Sequence, residues 1–433
     1  MPSPLARLRA RLRAVRMLQP LARRDYALLT VGSAISLLGD GFFSVALAWQ
    51  VYEISNVPTA LSIVGVAWTL PLVIFLLLGG VFTDRYDRRW LMIGADLVRA
   101  AAVGVLGLLS VAGLVELWHV IALIAFVGLG DAFFNPASTA IVPDVLPDEE
   151  LPRANALQGL LRPLMFRLVG PALGGFVVAL LGAGSAFLVD AATFLVSAAA
   201  IGAVSARPIR EVVAHGLRHT VAEVGEGLAF VRRTPWLWAT LLSAMFSLLA
   251  FVGPMQVLLP FLVKNQLRLG PEALGTIFAV SGIGSVAAAI ALGQWGLPRR
   301  RITAMYATWT VGVAMLAGYG LMTSLLQAIL IGALSAALFE IGQIIWVTLL
   351  QTLVPRDLLG RVSSLDWLVS TGLVPVSFAL TGPVAGAVGP GPTMIGAGLL
   401  GAVLMGALLF VPGVRDPERQ PVAAGDELDR IGA

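Results

Sequence analysis

Cysteine is absent from the 433-residue chain, histidine occurs three times, and Lys264 is the only lysine. Without cysteine, the chain forms no disulfide and offers no thiolate as a nucleophile or a metal ligand. Charged residues make up only 12% of the sequence and hydrophobic residues 58%, a balance that soluble domains of this length do not show. The phosphate-binding pattern G-x-x-x-x-G-K is also missing, and the dispersed histidines form no nucleophile–base set. The composition indicates a membrane protein that is neither an enzyme nor an ATP-driven pump.

The hydrophobic residues are gathered into twelve long stretches. As helices, these stretches are long enough to cross a hydrocarbon core of about 30 Å. They are continuously apolar and lack the alternation that marks the strands of a membrane barrel. We therefore predict an all-α integral membrane protein with twelve transmembrane helices.

The longest polar interruption runs from Arg207 to about Pro235 and separates six apolar stretches from six. It divides the predicted fold into two six-helix bundles. The predicted parts are a basic N-terminal arm (1–25), a first bundle (26–206), a linker (207–234), a second bundle (235–412) and a tail (413–433).

Arginine is concentrated in segments that share one side of the membrane if the twelve crossings alternate. These segments are the N-terminal arm, the 85–89 loop, the 207–233 stretch, the 299–301 triplet and the C-terminal tail. The other side offers only Lys264 and Arg268. Because cation-rich loops stay in the cytoplasm, we predict a multi-pass protein of the cell inner (plasma) membrane, with the linker and both termini cytoplasmic.

The N-terminal arm holds seven arginines in its first 25 residues and lacks the apolar core of a cleavable secretory signal. Leu5, Leu8, Leu12 and Val15 recur at helical spacing, which suits a short helix lying on anionic lipid. A solvated basic arm explains the same composition, and the sequence leaves both interpretations open.

Two pairs of similar segments indicate an internal duplication. PDEELPRANAL at 147–157 matches PRDLLGRVSSL at 355–365, and GPALGG at 170–175 matches GPVAGA at 382–387, both at an offset of about 210 residues. Repeated bundles with a binding site between them near the bilayer midplane are typical of secondary transporters. The sequence therefore predicts two pseudo-symmetric bundles around a central cavity.

The stretch GGVFTDRYDRRW at 79–90 resembles the signature loop of the major facilitator superfamily, and its usual last glycine is Asp87 here. The matching positions are Gly80, Asp84, Arg85, Arg88 and Arg89. The resemblance implies the major facilitator fold and a conformational latch in which Asp84 reaches across to the other bundle. Topology alone also explains the arginines, although it does not explain Asp84.

The segment GPALGG resembles a motif found in antiporters of this superfamily, with Gly170, Pro171, Gly174 and Gly175 as the matching residues. The resemblance implies a hinge between helices five and eight; simple helix packing is the alternative interpretation. Wider stretches, at 37–55, 95–100, 133–157 and 187–198, resemble the branch of enterobactin exporters and macrolide efflux pumps.

The branch resemblance implies an exporter of amphipathic small molecules, drug-like or siderophore-like, that works by alternating access as a proton antiporter. The expected partners are a small-molecule substrate, protons and membrane lipid, with no nucleic acid and no cofactor, and the expected state is a monomer. The alternatives are an uptake symporter on the same fold and a receptor or scaffold that does not transport.

Three carboxylates lie near the middles of apolar stretches, where an ionisable side chain costs at least about 2.5 kcal/mol. They are Asp40, Asp131 and Glu340, in helices one, four and ten. Asp131 and Glu340 occupy equivalent places in the two repeats, which predicts that they face each other across the cavity. We expect these carboxylates to couple transport to protons, with Asp40 as the preferred coupling residue.

Three arginines also fall within apolar stretches. Arg99 follows Asp96 by three residues, which predicts an intrahelical ion pair. Arg162 and Arg167 in helix five have three open interpretations: they neutralise Asp131, contact an anionic cargo, or extend to the lipid headgroups.

Aromatic, methionine and glutamine residues are predicted to form an adaptable substrate pocket, although membrane helices more often use such residues for packing or lipid contact. The pocket candidates are Trp49, Trp68, Phe246, Met255, Gln256, Gln343 and Trp346. His215 and His219 have a metal-binding spacing but no third ligand nearby, so we predict no metal site.

Overall fold

The computed structural model describes residues 16–205 and 217–418. All regular structure within these ranges is helical. Most of the predicted N-terminal arm, part of the predicted linker with His215, and most of the predicted tail lie outside the described residues.

Six helices form the first half of the membrane domain. They are α1 (Arg24–Ile54), α2 (Pro58–Arg85), α3 (Arg88–Val111), α4 (Leu117–Ala140), α5 (Leu151–Arg162, a π-helical turn Pro163–Val169, and Gly170–Leu181) and α6 (Ala183–Gly202). A helix of the linker, Leu217–Arg233, follows.

The second half has the same order of elements. Its helices are α7 (Pro235–Gly253, a π-helical turn Pro254–Leu258, and Leu259–Asn265), α8 (Pro271–Trp295), α9 (Arg301–Ala314 and Leu316–Gly320), α10 (Leu325–Leu353), α11 (Arg356–Gly372 and Val374–Val388) and α12 (Pro390–Leu408).

Eleven of these helices are individually long and apolar enough to cross a bilayer. The twelfth, α9, is not among them and is interrupted at Met315. The predicted number of crossings agrees with the described residues once the two pieces are taken together.

The helix packing repeats after six helices. In the first bundle α2 packs against α4, α3 against α6, and α1 against α5 and α6. In the second bundle α8 packs against α10, α9 against α12, and α7 against α11 and α12. The two pseudo-symmetric bundles predicted from the sequence repeats are therefore confirmed.

Two helix pairs form the main contacts between the bundles, α2 with α11 and α5 with α8. Small residues allow the backbones to approach closely at both places. A Cβ atom on Gly175 would lie 2.8 Å from the carbonyl oxygen of Pro271, and one on Gly382 would lie 2.6 Å from the Cα atom of Thr59. The repeated G-P segments thus place a glycine at each interface, Gly175 against α8 and Gly382 against α2.

We name the two sides of the membrane domain by what they carry. The linker side carries the linker helix, the turn between α2 and α3, and both ends of the described chain. The opposite side carries the α1–α2 and α7–α8 connections.

Replacing Gly175 by valine should destabilise the interface between α5 and α8 by about 1–3 kcal/mol, because added side-chain atoms meet a fixed backbone. The measurement is the thermal unfolding midpoint of the purified protein in detergent, followed by tryptophan fluorescence. Gly386→Val is the matched control, since a Cβ atom at Gly386 meets no atom within 4 Å. Equal midpoints for the two variants would contradict the close backbone contact.

Candidate functional site

Arg99 of α3 lies at the centre of a polar cluster inside the first bundle. Its side chain is only 4% exposed. Its Nη1 atom donates to Oδ1 of Asp131 on α4 at 3.0 Å, and its Nη2 atom pairs with Asp96 one turn earlier on α3. The rings of Phe134 and Phe194 lie 4.2 and 4.4 Å from its guanidinium carbon. The predicted intrahelical pair is therefore present, and aromatic rings and a second carboxylate enclose the same guanidinium.

Asp131 has a donor on each carboxylate oxygen. Besides Arg99 at Oδ1, Trp68 of α2 donates its Nε1–H to Oδ2 at 3.0 Å. Of the three open interpretations of Arg162 and Arg167, neutralisation of Asp131 is not among the described contacts, in which Arg99 is its cation. Both described hydrogen-bond partners of Asp131 belong to its own bundle, and its arrangement opposite Glu340 stays a prediction.

Two further carboxylates lie next to this ion-pair group. A Cβ atom on Gly39 would lie 2.4 Å from Oδ1 of Asp190, which is 1% exposed and has no described hydrogen-bond partner at Oδ2. Asp40 is half-buried and interacts electrostatically with Arg99 and Asp131, without a hydrogen bond to any described residue. We call Arg99 with Asp40, Asp96, Asp131 and Asp190 the Arg99 cluster.

Sequence analysis missed the membership of Asp190 and treated Arg99 only as the partner of Asp96. The available signal was that Asp190 is the single charge in the otherwise apolar stretch of α6. Its neighbour across the bundle is Gly39, whose missing side chain allows α1 and α6 to approach. Gly39 of α1 and Asp190 of α6 are far apart in the chain, so a single sequence does not reveal that they meet.

A cavity of about 450 Å³ opens on the linker side between the bundles. Its lining includes Asn155, Gln158, Arg162, Phe166 and Arg167 of α5 and Glu340 of α10. Nη1 of Arg167 lies 4.0 Å from Oε2 of Glu340, so one ion pair connects the two bundles across this space. Of the five predicted coupling or cavity residues, Arg162, Arg167 and Glu340 thus line one cavity, and Asp40 and Asp131 belong to the Arg99 cluster.

Contacts between α1 and α7 close the opposite side. Tyr52 donates its hydroxyl to the carbonyl oxygen of Val257 at 2.6 Å. Asn56 and Asn265 exchange two hydrogen bonds of 2.6 and 3.1 Å, and Lys264 donates to the carbonyl oxygen of Tyr52. The cavity therefore opens on one side while the bundles touch on the other.

The candidate pocket residues do not form one pocket. Trp68 belongs to the Arg99 cluster, and Trp49 lies 5.4 Å from the Lys264 amine near the closed side. Trp346 is 4% exposed and donates to Oδ2 of Asp366 at 3.1 Å inside the second bundle.

The other four pocket candidates are more accessible. Phe246 and Met255 of α7 are half-buried, whereas Gln256 in the π-helical turn of α7 is exposed. Gln343 of α10 is exposed and follows Glu340 by three residues, which places it on the same helix face. Gln343 is thus the pocket candidate nearest in sequence to the cavity lining.

The basic residues of the α2–α3 turn bind their own bundle. Arg88 donates to the carbonyl oxygen of Ala140 at 2.9 Å and to Asp144 at 2.6 Å, and Arg89 donates to the carbonyl oxygen of Gly202 at 3.0 Å. These bonds fasten the turn to the linker-side ends of α4 and α6.

The other positions of the turn differ in what surrounds them. Asp87, which replaces a usual glycine, caps α3 by accepting from the Arg89 backbone at 2.9 Å. Arg85 is exposed, and Gly80 has room for a Cβ atom. The side chain of Asp84 lies outside the described residues.

The G-P-A-L-G-G segment contacts two helices. A Cβ atom on Gly170 would lie 2.8 Å from the Cα atom of Gly41, and one on Gly174 would lie 2.7 Å from that of Phe42, both on α1. Gly175 faces α8 instead, and Pro171 follows the π-helical turn directly. The segment therefore joins α1 of its own bundle to α8 of the other.

Arg99→Leu should cost about 3–5 kcal/mol of stability, because it leaves two buried carboxylates without their cation. The triple variant Arg99→Leu/Asp96→Asn/Asp131→Asn should recover much of this loss, since its buried groups are neutral. Thermal unfolding in detergent compares the three proteins. If Arg99→Leu alone unfolds at the wild-type temperature, the cluster is not held by this guanidinium.

Comparison with known proteins gives both relatives and structural neighbours. The chain is 29% identical to the multidrug efflux pump Tap of Mycolicibacterium fortuitum, covering 92% of this chain and 97% of that protein. It is 23% identical to macrolide efflux protein A of Streptococcus pyogenes, covering 83% and 88%. These relatives support the transporter assignment and agree with the prediction that the chain is not an enzyme.

Solved structures share the fold. The nucleoside transporter NupG matches with a TM-score of 0.67 at 12% identity, covering 89% of this chain and 98% of NupG. A bacterial homologue of the lysosomal transporter Spinster matches with a TM-score of 0.66 at 14% identity, covering 98% and 100%. A family model described as transmembrane secretion effector matches residues 15–426. The chain therefore belongs to the transmembrane secretion effector family of major facilitator transporters.

Proposed function

We propose that this protein exports amphipathic small molecules by alternating access, in exchange for protons. One observation carries the proposal: α1 and α7 close the opposite side through Tyr52, Asn56 and Lys264, while a cavity opens between the bundles on the linker side. A transporter of this architecture releases its cargo when the closed and open sides exchange.

The linker side is proposed to face the cytoplasm. The arginine-rich segments of the sequence lie on this side, and cation-rich loops remain cytoplasmic. With this orientation the cavity faces the compartment from which an exporter takes its cargo. The same orientation makes both termini cytoplasmic in a multi-pass protein of the inner membrane.

Proton coupling is proposed for the Arg99 cluster, with Asp40 as the carrier. The cluster holds four carboxylates and one guanidinium, and the described hydrogen bonds of this guanidinium go to Asp96 and Asp131. An ionised carboxylate without a cation is costly in this environment, so proton binding is favoured at Asp40 and Asp190. Asp190 is 1% exposed, whereas Asp40 is only half-buried. Asp40 is therefore the carboxylate better suited to exchange protons as access changes.

The proposed cargo class rests on the relatives and on the cavity. Tap is named as a multidrug pump and the streptococcal relative as a macrolide efflux protein. The cavity of about 450 Å³ offers an aromatic surface at Phe166 beside amide and charged groups, which suits a molecule with apolar and polar parts. The two bundles form the whole pathway within one chain, so we propose that the monomer is the working unit.

The signature loop at 79–90 and the G-P-A-L-G-G segment at 170–175 are proposed to control which side of the membrane domain is open. The Arg88 and Arg89 bonds hold the α2–α3 turn on the first bundle. From this fixed turn Asp84 would bind the second bundle when the linker side closes. Gly170 and Gly175 would let α5 move against α1 and α8 during the same exchange, because small residues permit close sliding contacts.

Asp40→Asn should abolish proton-driven export, because the amide cannot carry a proton. We expect cells that express this variant to accumulate ethidium like cells treated with a protonophore, whereas wild type excludes the dye until protonophore is added. Asp148→Asn, at the start of the short linker-side helix Asp148–Glu150, is the control and should export normally. Export by Asp40→Asn at the wild-type rate would exclude Asp40 as the carrier.

Locking the closed side should stop transport reversibly. The natural chain has no cysteine, so Asn56→Cys/Asn265→Cys is a clean pair for a short thiosulfonate cross-linker between the α1–α2 connection and α7. We expect cross-linking to abolish dye export and reduction to restore it.

The control for this lock is a pair inside one bundle. Gln50 and Ser110 are hydrogen-bonded between α1 and α3, so Gln50→Cys/Ser110→Cys should accept the same reagent and keep its export. Full export by the cross-linked Asn56/Asn265 pair would show that the opposite side does not need to open.

A further inference from the structure

Arg162 and Arg167 of α5 are brought to one cavity by a local change of helix type. In a regular α-helix, residues five apart differ by roughly 140° in direction, since each residue turns about 100°. The π-helical turn Pro163–Val169 begins directly after Arg162 and includes Arg167, and the Gly170 backbone N–H bonds to the carbonyl oxygen of Met165, five residues earlier. A π-helical turn rotates less per residue than an α-helix does, so residues five apart lie closer to one face of the helix. Both guanidiniums therefore line the cavity on the linker side.

The charges in this cavity do not balance. Glu340 is the only carboxylate in its described lining, against two guanidiniums. Nη1 of Arg167 lies 4.0 Å from Oε2 of Glu340, a distance too long for a hydrogen bond, and the Arg167 side chain is 56% exposed. Arg162 is exposed and makes no hydrogen bond or ion pair with any described residue. The cavity thus holds a net positive charge and guanidinium N–H groups that are free to bind.

The surroundings of the two arginines are those of a binding site rather than of a lipid contact. Asn155 and Gln158 add amide groups to the same cavity, and Phe166 adds an apolar surface. Arg162 also interacts electrostatically with Asp40 of the Arg99 cluster. The interpretation in which both arginines extend to lipid headgroups is therefore disfavoured.

We infer that Arg162 and Arg167 bind the anionic head group, a carboxylate or a phosphate, of an amphipathic cargo. Planar guanidiniums bind such groups through paired, charge-assisted N–H bonds. Glu340 is the internal competitor for Arg167. Because Arg167 belongs to the first bundle and Glu340 to the second, the arriving anion also releases a contact between the bundles.

This inference rests on the proposed export function and gives its cargo a chemical class. The probe pair is 11-(dansylamino)undecanoic acid and its methyl amide, which differ in the head group alone. Binding to the purified full-length chain in neutral detergent is measured by dansyl fluorescence. We expect the acid to bind about tenfold more tightly than the amide, because it forms charge-assisted hydrogen bonds.

The variants change acid binding in opposite directions. Arg162→Gln and Arg167→Gln should each weaken binding of the acid toward that of the amide, whereas Glu340→Gln should strengthen it by removing the competitor. Amide binding should stay unchanged in all three, which verifies that they are folded. Arg153→Gln is the matched control, because Arg153 lies on the same helix and bonds to Gln19 instead of lining the cavity.

Equal affinities of wild type for acid and amide would overturn the anion site, and so would an acid preference that survives in both arginine variants. The proposed export function would still stand in either case if wild-type cells exclude ethidium. Conversely, arginine-dependent acid binding without energised export of either ethidium or the dansyl acid would refute the export function and leave the anion site.

A competition measurement with lipids identifies the source of the anion. Phosphatidylglycerol and phosphatidylcholine are added separately to the complex with the acid. Displacement of the acid by phosphatidylglycerol alone assigns the head group to an anionic lipid, and retention of the acid against both lipids assigns it to a free amphiphile. The arginine site is supported by either result, since both require the same anion.

Discussion

The guanidinium of Arg99 organises the polar interior of the first bundle. It joins α3 to α4 through Asp131, touches rings from α4 and α6, and lies beside the carboxylates of α1 and α6. In a medium without water, a side chain with such connections fixes the relative positions of four helices, because any separation leaves a charge unpaired. The site of proposed proton exchange and the framework of the bundle are consequently the same group of atoms.

The two bundles share a packing scheme but differ in chemistry. Among the described residues, the interior of the second bundle is held by neutral contacts, such as the 3.1 Å bond between the hydroxyls of Thr240 and Tyr306, and by the carboxylate of Asp366, which accepts from Trp346. Duplication thus supplies the architecture, while charge is concentrated in one copy. This division suits a transporter in which one bundle binds the protons and the other mainly moves against it.

Sequence reasoning succeeded where the physical cause is local or periodic. Apolar length predicts the crossings, the repeats predict the two bundles, and a three-residue spacing predicts the Asp96–Arg99 pair. It did not identify the second partner of Arg99, the neighbourhood of Asp190, or the Asn56–Asn265 closure, because these depend on which helix faces meet in space. Trp346 shows the same limit, since an aromatic residue in a membrane helix has the same pattern whether it faces a pathway or a core.

The π-helical turn of α5 affects how an alignment of family sequences relates to the direction of their side chains. The turn, which follows Arg162 and includes Arg167, accommodates one residue more than a regular helical turn does. A homologous chain that lacks this one residue would keep both arginines in an alignment, yet would aim one of them at a neighbouring helix or at lipid. Differences in cargo within the family can therefore arise from a single insertion or deletion, with every charged residue of the pathway unchanged.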